Sequence, residues 1–183
     1  MKMLNNKGIS VINLIILIAT VGIMAIGCYF GFSTMIVNNK KDNFVNTAKK
    51  YVEGAKEQLL SENFMPNSGE GIIVPYEQIR LGKEYLSPYK RSKFDEDYSY
   101  VVIIKNYDAS AEYKYYVTQI DELGNCIELI DYDKINSYGK EKRKVVVNDN
   151  TCDIQSVSLV GPGFNVKKIN LDFDVKYTKY EKN

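Results

Sequence analysis

From Ile9 to Val37 the chain carries no charged residue, a run of 29 positions that is apolar on every side. The polar residues inside it (Ser10, Asn13, Thr20, Ser33 and Thr34) are few and small. A bilayer core ~30 Å thick needs ~20 apolar helical residues, so the run is long enough to span one. Asn38-Asn39-Lys40-Lys41-Asp42 marks its polar end. From Phe44 a helical period sets in. Phe44, Ala48, Tyr51, Val52, Ala55, Leu59 and Leu60 share one stripe, opposite Lys49, Lys50, Glu53, Lys56 and Glu57. Nothing between Gly8 and Pro66 forces a break, although Gly22, Gly27, Gly31 and Gly54 weaken the helix. The pattern predicts one helix from about Ile9 to about Ser61, on the order of 80 Å long.

Asn63 to Gly71 reads as a loop by its turn residues, and Pro75 to Leu86 as a short helix with Pro75 near its first turn. Ser87 to Asp97 is charged and irregular. The period then changes to two. Tyr98–Lys105 and Tyr113–Asp121 read as paired strands around the Asn106–Glu112 turn. A turn at Glu122–Asn125 leads to a strand over Cys126–Asp131, and Lys144–Asn148 and Ile154–Val160 read as further strands. After the Gly161-Pro162-Gly163 turn, Ile169, Leu171, Phe173, Val175 and Tyr177 alternate with polar residues, which gives the clearest strand over Ile169–Tyr177. Such alternation suits a sheet with one buried and one wet face. The expected fold is α+β: a long N-terminal helix, half membrane-spanning and half amphipathic, packed on an antiparallel β-sheet. Residues 38–62 continue the helix and 63–183 form a β-rich domain.

Composition narrows the chemistry. The formal net charge is +1 and Lys and Arg are scattered among Asp and Glu, so there is no basic stripe for direct nucleic-acid binding. His and Trp are absent, which removes His-based triads, His general bases and most zinc sites. No catalytic residue, cofactor site or metal site is expected. Asp95-Glu96-Asp97 and the Asp172/Asp174 pair lack the spacing of a calcium loop and read as solvated charges. Gly161-Pro162-Gly163 lacks the length and the Lys-Ser/Thr of a phosphate loop. The Tyr residues number fifteen, and strands account for most of them.

The junction Asn6-Lys7-Gly8-Ile9-Ser10-Val11-Ile12-Asn13-Leu14 is the most specific stretch. It resembles the leader and helix start of type IV prepilins and pseudopilins. Val21-Gly22-Ile23-Met24-Ala25 resembles a segment common further along pilin helices. The resemblance is strong over residues 5–26 and architectural beyond. It implies that a prepilin peptidase removes a leader, residues 1–8, between Gly8 and Ile9, and that the Ile9 amine is then N-methylated. Residues 9–37 would lie in the membrane or in a filament core. The implied partners are other pilin-like subunits, a pilus or secretion assembly platform, and membrane lipid. The implied location is the cytoplasmic membrane, single-pass, N-terminus in, with the rest of the chain extracytoplasmic or in a surface filament. Lys2 and Lys7 favour that orientation whereas Lys40 and Lys41 oppose it, so the resemblance decides.

Asn13 departs from the family, which normally has Glu at the fifth mature position to neutralise a neighbouring subunit's amine. An amide can hydrogen-bond an ammonium but cannot cancel its charge in hydrocarbon. This points to a minor or initiating subunit, or to an anchor that never polymerises. A third reading takes Ala25-Ile26-Gly27-Cys28 as a lipobox with Cys28 lipidated. Against it stand the long apolar stretch before Cys28 and the apolar residues Tyr29 to Val37 after it. In an extracytoplasmic domain Cys126 and Cys152 could pair, closing a loop worth roughly 3 kcal/mol. The alternative is two small buried thiols.

Overall fold

The computed structural model describes residues 11–107, 112–137, 139–148, 152–160, 164, 169, 171 and 174–181. The predicted turn at Gly161–Gly163 and the middle of the Ile169–Tyr177 pattern, at Asp172 and Phe173, lie outside these residues. The chain divides into two compact units, Met1–Asn39 and Lys40–Asn183.

Helix α1 is assigned over Val11–Ser61. It stops where Asn63 takes a left-handed φ of 52°. Phe64 N donates to Leu59 O at 2.9 Å and Asn63 N to Leu60 O at 3.3 Å, so the last carbonyls are satisfied by a Schellman turn. In the second unit, Phe44, Ala48, Tyr51, Val52, Ala55 and Leu59 of the predicted stripe are buried, whereas Leu60, about 100° further round the helix from Leu59, is 50% exposed.

That stripe packs on a six-stranded sheet of order β5-β4-β3-β2-β1-β6. The strands are β1 (Glu70–Pro75), β2 (Tyr100–Lys105), β3 (Tyr113–Ile120), β4 (Asn125–Asp131), β5 (Val146–Asn148) and β6 (Lys176–Lys179). All neighbours are antiparallel except β1 and β6, which run parallel. The fold is therefore α+β with a long N-terminal helix and a mostly antiparallel open sheet. Ile72, Val74, Val101, Ile103, Val117 and Ile127 face the helix.

The expectation of a wet second face fails. Ile73, Tyr100, Val102, Ile104 and Tyr116 are buried there under Val157, Phe164, Ile169, Leu171, Val175 and Tyr177. Strands β1 and β2, covered on both faces, accordingly read as unbroken apolar runs, Ile72-Ile73-Val74 and Val101-Val102-Ile103-Ile104.

Several local expectations are also corrected. Strand β1 occupies the end of the predicted loop and the start of the predicted helix. The Pro75–Leu86 helix is reduced to a single 3-10 turn, Tyr76–Gln78. Gln58 takes up the backbone there: its Nε2 donates to Gln78 O at 3.0 Å and its Oε1 accepts from Arg80 N at 2.8 Å. Ile154–Val160 contains a 3-10 turn, Val157–Leu159, because the Ser156 hydroxyl accepts from Ser158 N at 3.2 Å. The last strand lies at Lys176–Lys179, later than predicted. A short helix α2 (Tyr132–Ser137) and a 3-10 segment, Gly139–Val145, precede β5 where only a strand over Lys144–Asn148 was expected.

Candidate functional site: the charge-free helix surface

Every residue from Val11 to Val37 is exposed. Ile12 is 67% exposed, Ile23 71% and Phe30 66%, whereas most large apolar side chains of the sheet domain are buried. Fourteen residues of this stretch are Leu, Ile, Val or Phe. At about −0.3 to −0.6 kcal/mol each for insertion at a bilayer centre, they favour the membrane by about 4–8 kcal/mol. The polar side chains do little to oppose it: Thr20 Oγ1 donates to Leu17 O and Thr34 Oγ1 to Phe30 O, each at 2.9 Å. α1 is long and apolar enough to cross a membrane and is a candidate membrane span.

Asn13 lies on this exposed surface within the first turns of α1. Cys28 is exposed mid-helix, with α1 continuous on both sides of it. The expected leader end, Gly8, and the expected new N-terminus, Ile9, lie outside the described residues.

Cys126 and Cys152 are joined as a disulfide with Cα atoms 6.5 Å apart. The bond ties the fully buried start of β4 to the segment that goes on to cover the second sheet face. Asp95 serves its own loop, where its Oδ1 accepts from Asp97 N at 3.0 Å and Tyr98 N at 3.1 Å. Among the described residues no group of three His, Cys, Asp or Glu side chains is placed to hold a metal.

Beside α1 a cleft of about 260 Å³ is floored by Tyr51 and Tyr76, which stack at 3.6 Å between ring centroids, and walled by Ile79, Leu81, Tyr85 and Phe94. Burial pushes the Tyr51 phenol up to about 12 and that of Tyr76 well above its ordinary value.

Three polar features escaped the reading of the sequence. Gln119 is fully buried, donating from Nε2 to Phe44 O and accepting from the Tyr76 hydroxyl, both at 2.9 Å. The buried Asp121 carboxylate accepts from Ser87 Oγ, Leu123 N and Asn125 N, which closes the β3–β4 turn. Asp42 accepts from Arg143 Nε at 2.9 Å and Nη2 at 2.6 Å. That paired hydrogen bond holds the Asp42 carboxyl below its ordinary value against the opposing effect of burial. The available signal was weak: a polar residue in a buried register, or an acid beside a basic run 101 residues away.

Comparison with protein-family models, with curated proteins and with solved structures finds no match.

Proposed function

We propose that this chain is a pilin-like structural subunit, of the minor or filament-initiating kind, of a type IV pilus, type II secretion or DNA-uptake filament. It works by assembly and performs no chemistry of its own. The observation that carries the reading is a fully exposed, charge-free surface over Val11–Val37, on the helix whose later turns form the core of the β-sheet domain. Such a surface needs a covering, and lipid before assembly or neighbouring apolar helices after it would each provide one. The Lys7-Gly8 leader end supplies the means of release, through a prepilin peptidase. The sheet domain, with both faces covered, is left to make outward contacts.

Asn13 favours a second reading, a signal-anchored surface protein that stays in the membrane, because it lacks the carboxylate that would accompany a neighbour's Ile9 amine. The two differ in where the protein accumulates. A minor subunit appears in the filament fraction sheared from cells, and Asn13→Glu increases its share there by supplying the missing countercharge. Retention of both the native chain and Asn13→Glu in the membrane fraction would leave the non-polymerising anchor.

A further inference from the structure

The basic residues that this role leaves unused gather around one carboxylate. Asp42 holds Arg143 through paired hydrogen bonds, and Lys142 Nζ stands 3.8 Å from the same carboxylate. One acid thus serves two cations, each still partly exposed. Lys49, further along α1, has its proton affinity lowered by burial and by the charge of Lys142, against a smaller opposing pull from Glu53. Lys40 and Lys41 immediately precede Asp42, and Lys144 follows Arg143 on a solvated pair with Glu141 at 2.9 Å. Among the described residues no ion pair involves Lys40, Lys41 or Lys49, although Lys40 lies over the Tyr89 ring. Lys49, Lys142 and Arg143 thus gather around a single carboxylate, Asp42.

The position of the cluster follows from chain length alone. Asp42 is five residues beyond Val37, the end of the charge-free run. Five residues reach no more than about 18 Å even when fully extended, so the cluster stays near the bilayer surface however the sheet domain is turned. Lys and Arg stems add several ångströms of reach, and the potential of an anionic surface extends over a Debye length of ~8 Å.

We propose that Lys41, Lys49, Lys142, Arg143 and Lys144 form a docking surface for the headgroups of anionic phospholipid in the membrane that holds α1. The Asp42–Arg143 pair is the organiser: it fixes the 3-10 segment against α1, so that Lys142 and Arg143 stand beside Asp42 and Lys49 from a distant part of the chain. The surplus charge, repelled within the protein, is relieved by lipid phosphate. The inference rests on the membrane-anchored reading of α1 and is independent of leader removal and of polymerisation.

The test uses the full chain in phosphatidylcholine vesicles containing a trace of spin-labelled phosphatidylglycerol or spin-labelled phosphatidylcholine, with the lipid held at the protein read by electron paramagnetic resonance. Phosphatidylglycerol should be preferred about fivefold at low salt, of the order of one lysine's attraction to anionic lipid. The preference should fall toward parity in about 1 M salt, where the Debye length is ~3 Å. It should fall likewise in K41Q/K49Q/K144Q, which leaves the Asp42 pair intact and should unfold at the native temperature. Equal association of both lipids, or a preference undiminished in the variant and therefore due to Lys2 and Lys7, would overturn the proposal. So would soluble glycerol phosphate displacing the lipid, which would mark a free-anion site. A chain that does not float with neutral vesicles would defeat the anchor, and this surface with it.

Discussion

Replacing Gln119 with leucine should be disproportionately damaging for a change that keeps side-chain volume. Gln119 is 0% exposed and joins the sheet to two other elements. Its Nε2 donates to Phe44 O, and its Oε1 accepts from the Tyr76 hydroxyl. In Gln119→Leu the Phe44 carbonyl keeps its partner within α1, but the Tyr76 hydroxyl is stranded in a residue only 5% exposed. An unsatisfied buried hydroxyl costs ~1–3 kcal/mol, partly offset by the better burial of leucine, so a loss of about 2 kcal/mol is expected. For a domain of this size that lowers Tm by roughly 4–8 °C. Tyr76→Phe alone strands Gln119 Oε1 and should cost about 1 kcal/mol, whereas the double variant strands neither group and should be milder than the sum by ~1–2 kcal/mol. The assay is thermal unfolding of the detergent-solubilised full chain followed by near-ultraviolet circular dichroism, where the stacked Tyr51 and Tyr76 rings contribute. A Gln119→Leu cost below about 0.5 kcal/mol, or strict additivity in the double variant, would refute the reasoning.

Removing the disulfide in C126S/C152S opens a loop closed across 26 residues of separation. It should cost about 3 kcal/mol in denaturant unfolding, and added reductant should then have no further effect. Gly69→Ala should lose about 2 kcal/mol in the same experiment, since φ is +79° and a Cβ there would run into the Tyr107 ring. Gly69 also bonds Lys105 O and Lys176 N, so proteolysis near β6 should rise in that variant. The Asp42 carboxyl is held low in the folded state by Arg143, so its contribution is fully present above the unfolded value of ~3.9 and is lost as pH falls through the folded value. Asp42→Asn should therefore flatten the acid limb of the stability–pH curve below about pH 4 while lowering stability at pH 7.

What was legible in the chain follows from how local each signal is. The charge-free run and the Phe44–Leu59 stripe are periodic over many turns, and both appear in α1 within a few residues of the predicted limits. Strands β2, β3 and β4 were readable because they are successive, with turn residues between them. β1 was not, because Asn67, Ser68, Gly69 and Pro75 crowd a three-residue apolar run that is held by partners from both later strands. The alternation of Ile169, Leu171, Val175 and Tyr177 was real, but only its end, at Tyr177, lies in a ladder as part of β6; Ile169, Leu171 and Val175 pack over a sheet face, and periodicity does not distinguish the two. The Gln119, Asp121 and Asp42 networks depend on partners far apart in the chain, which no local pattern encodes. The exposed helix surface, by contrast, was plain from composition alone.

The central claim turns on the first residue of the mature protein. Intact-mass and N-terminal peptide measurement of the chain purified from cells with an active prepilin peptidase should find the first eight residues gone and Ile9 methylated at its amine. Gly8→Val should restore the full-length mass. A mature protein that still begins at Met1, or one that begins at a lipidated Cys28, would contradict the account.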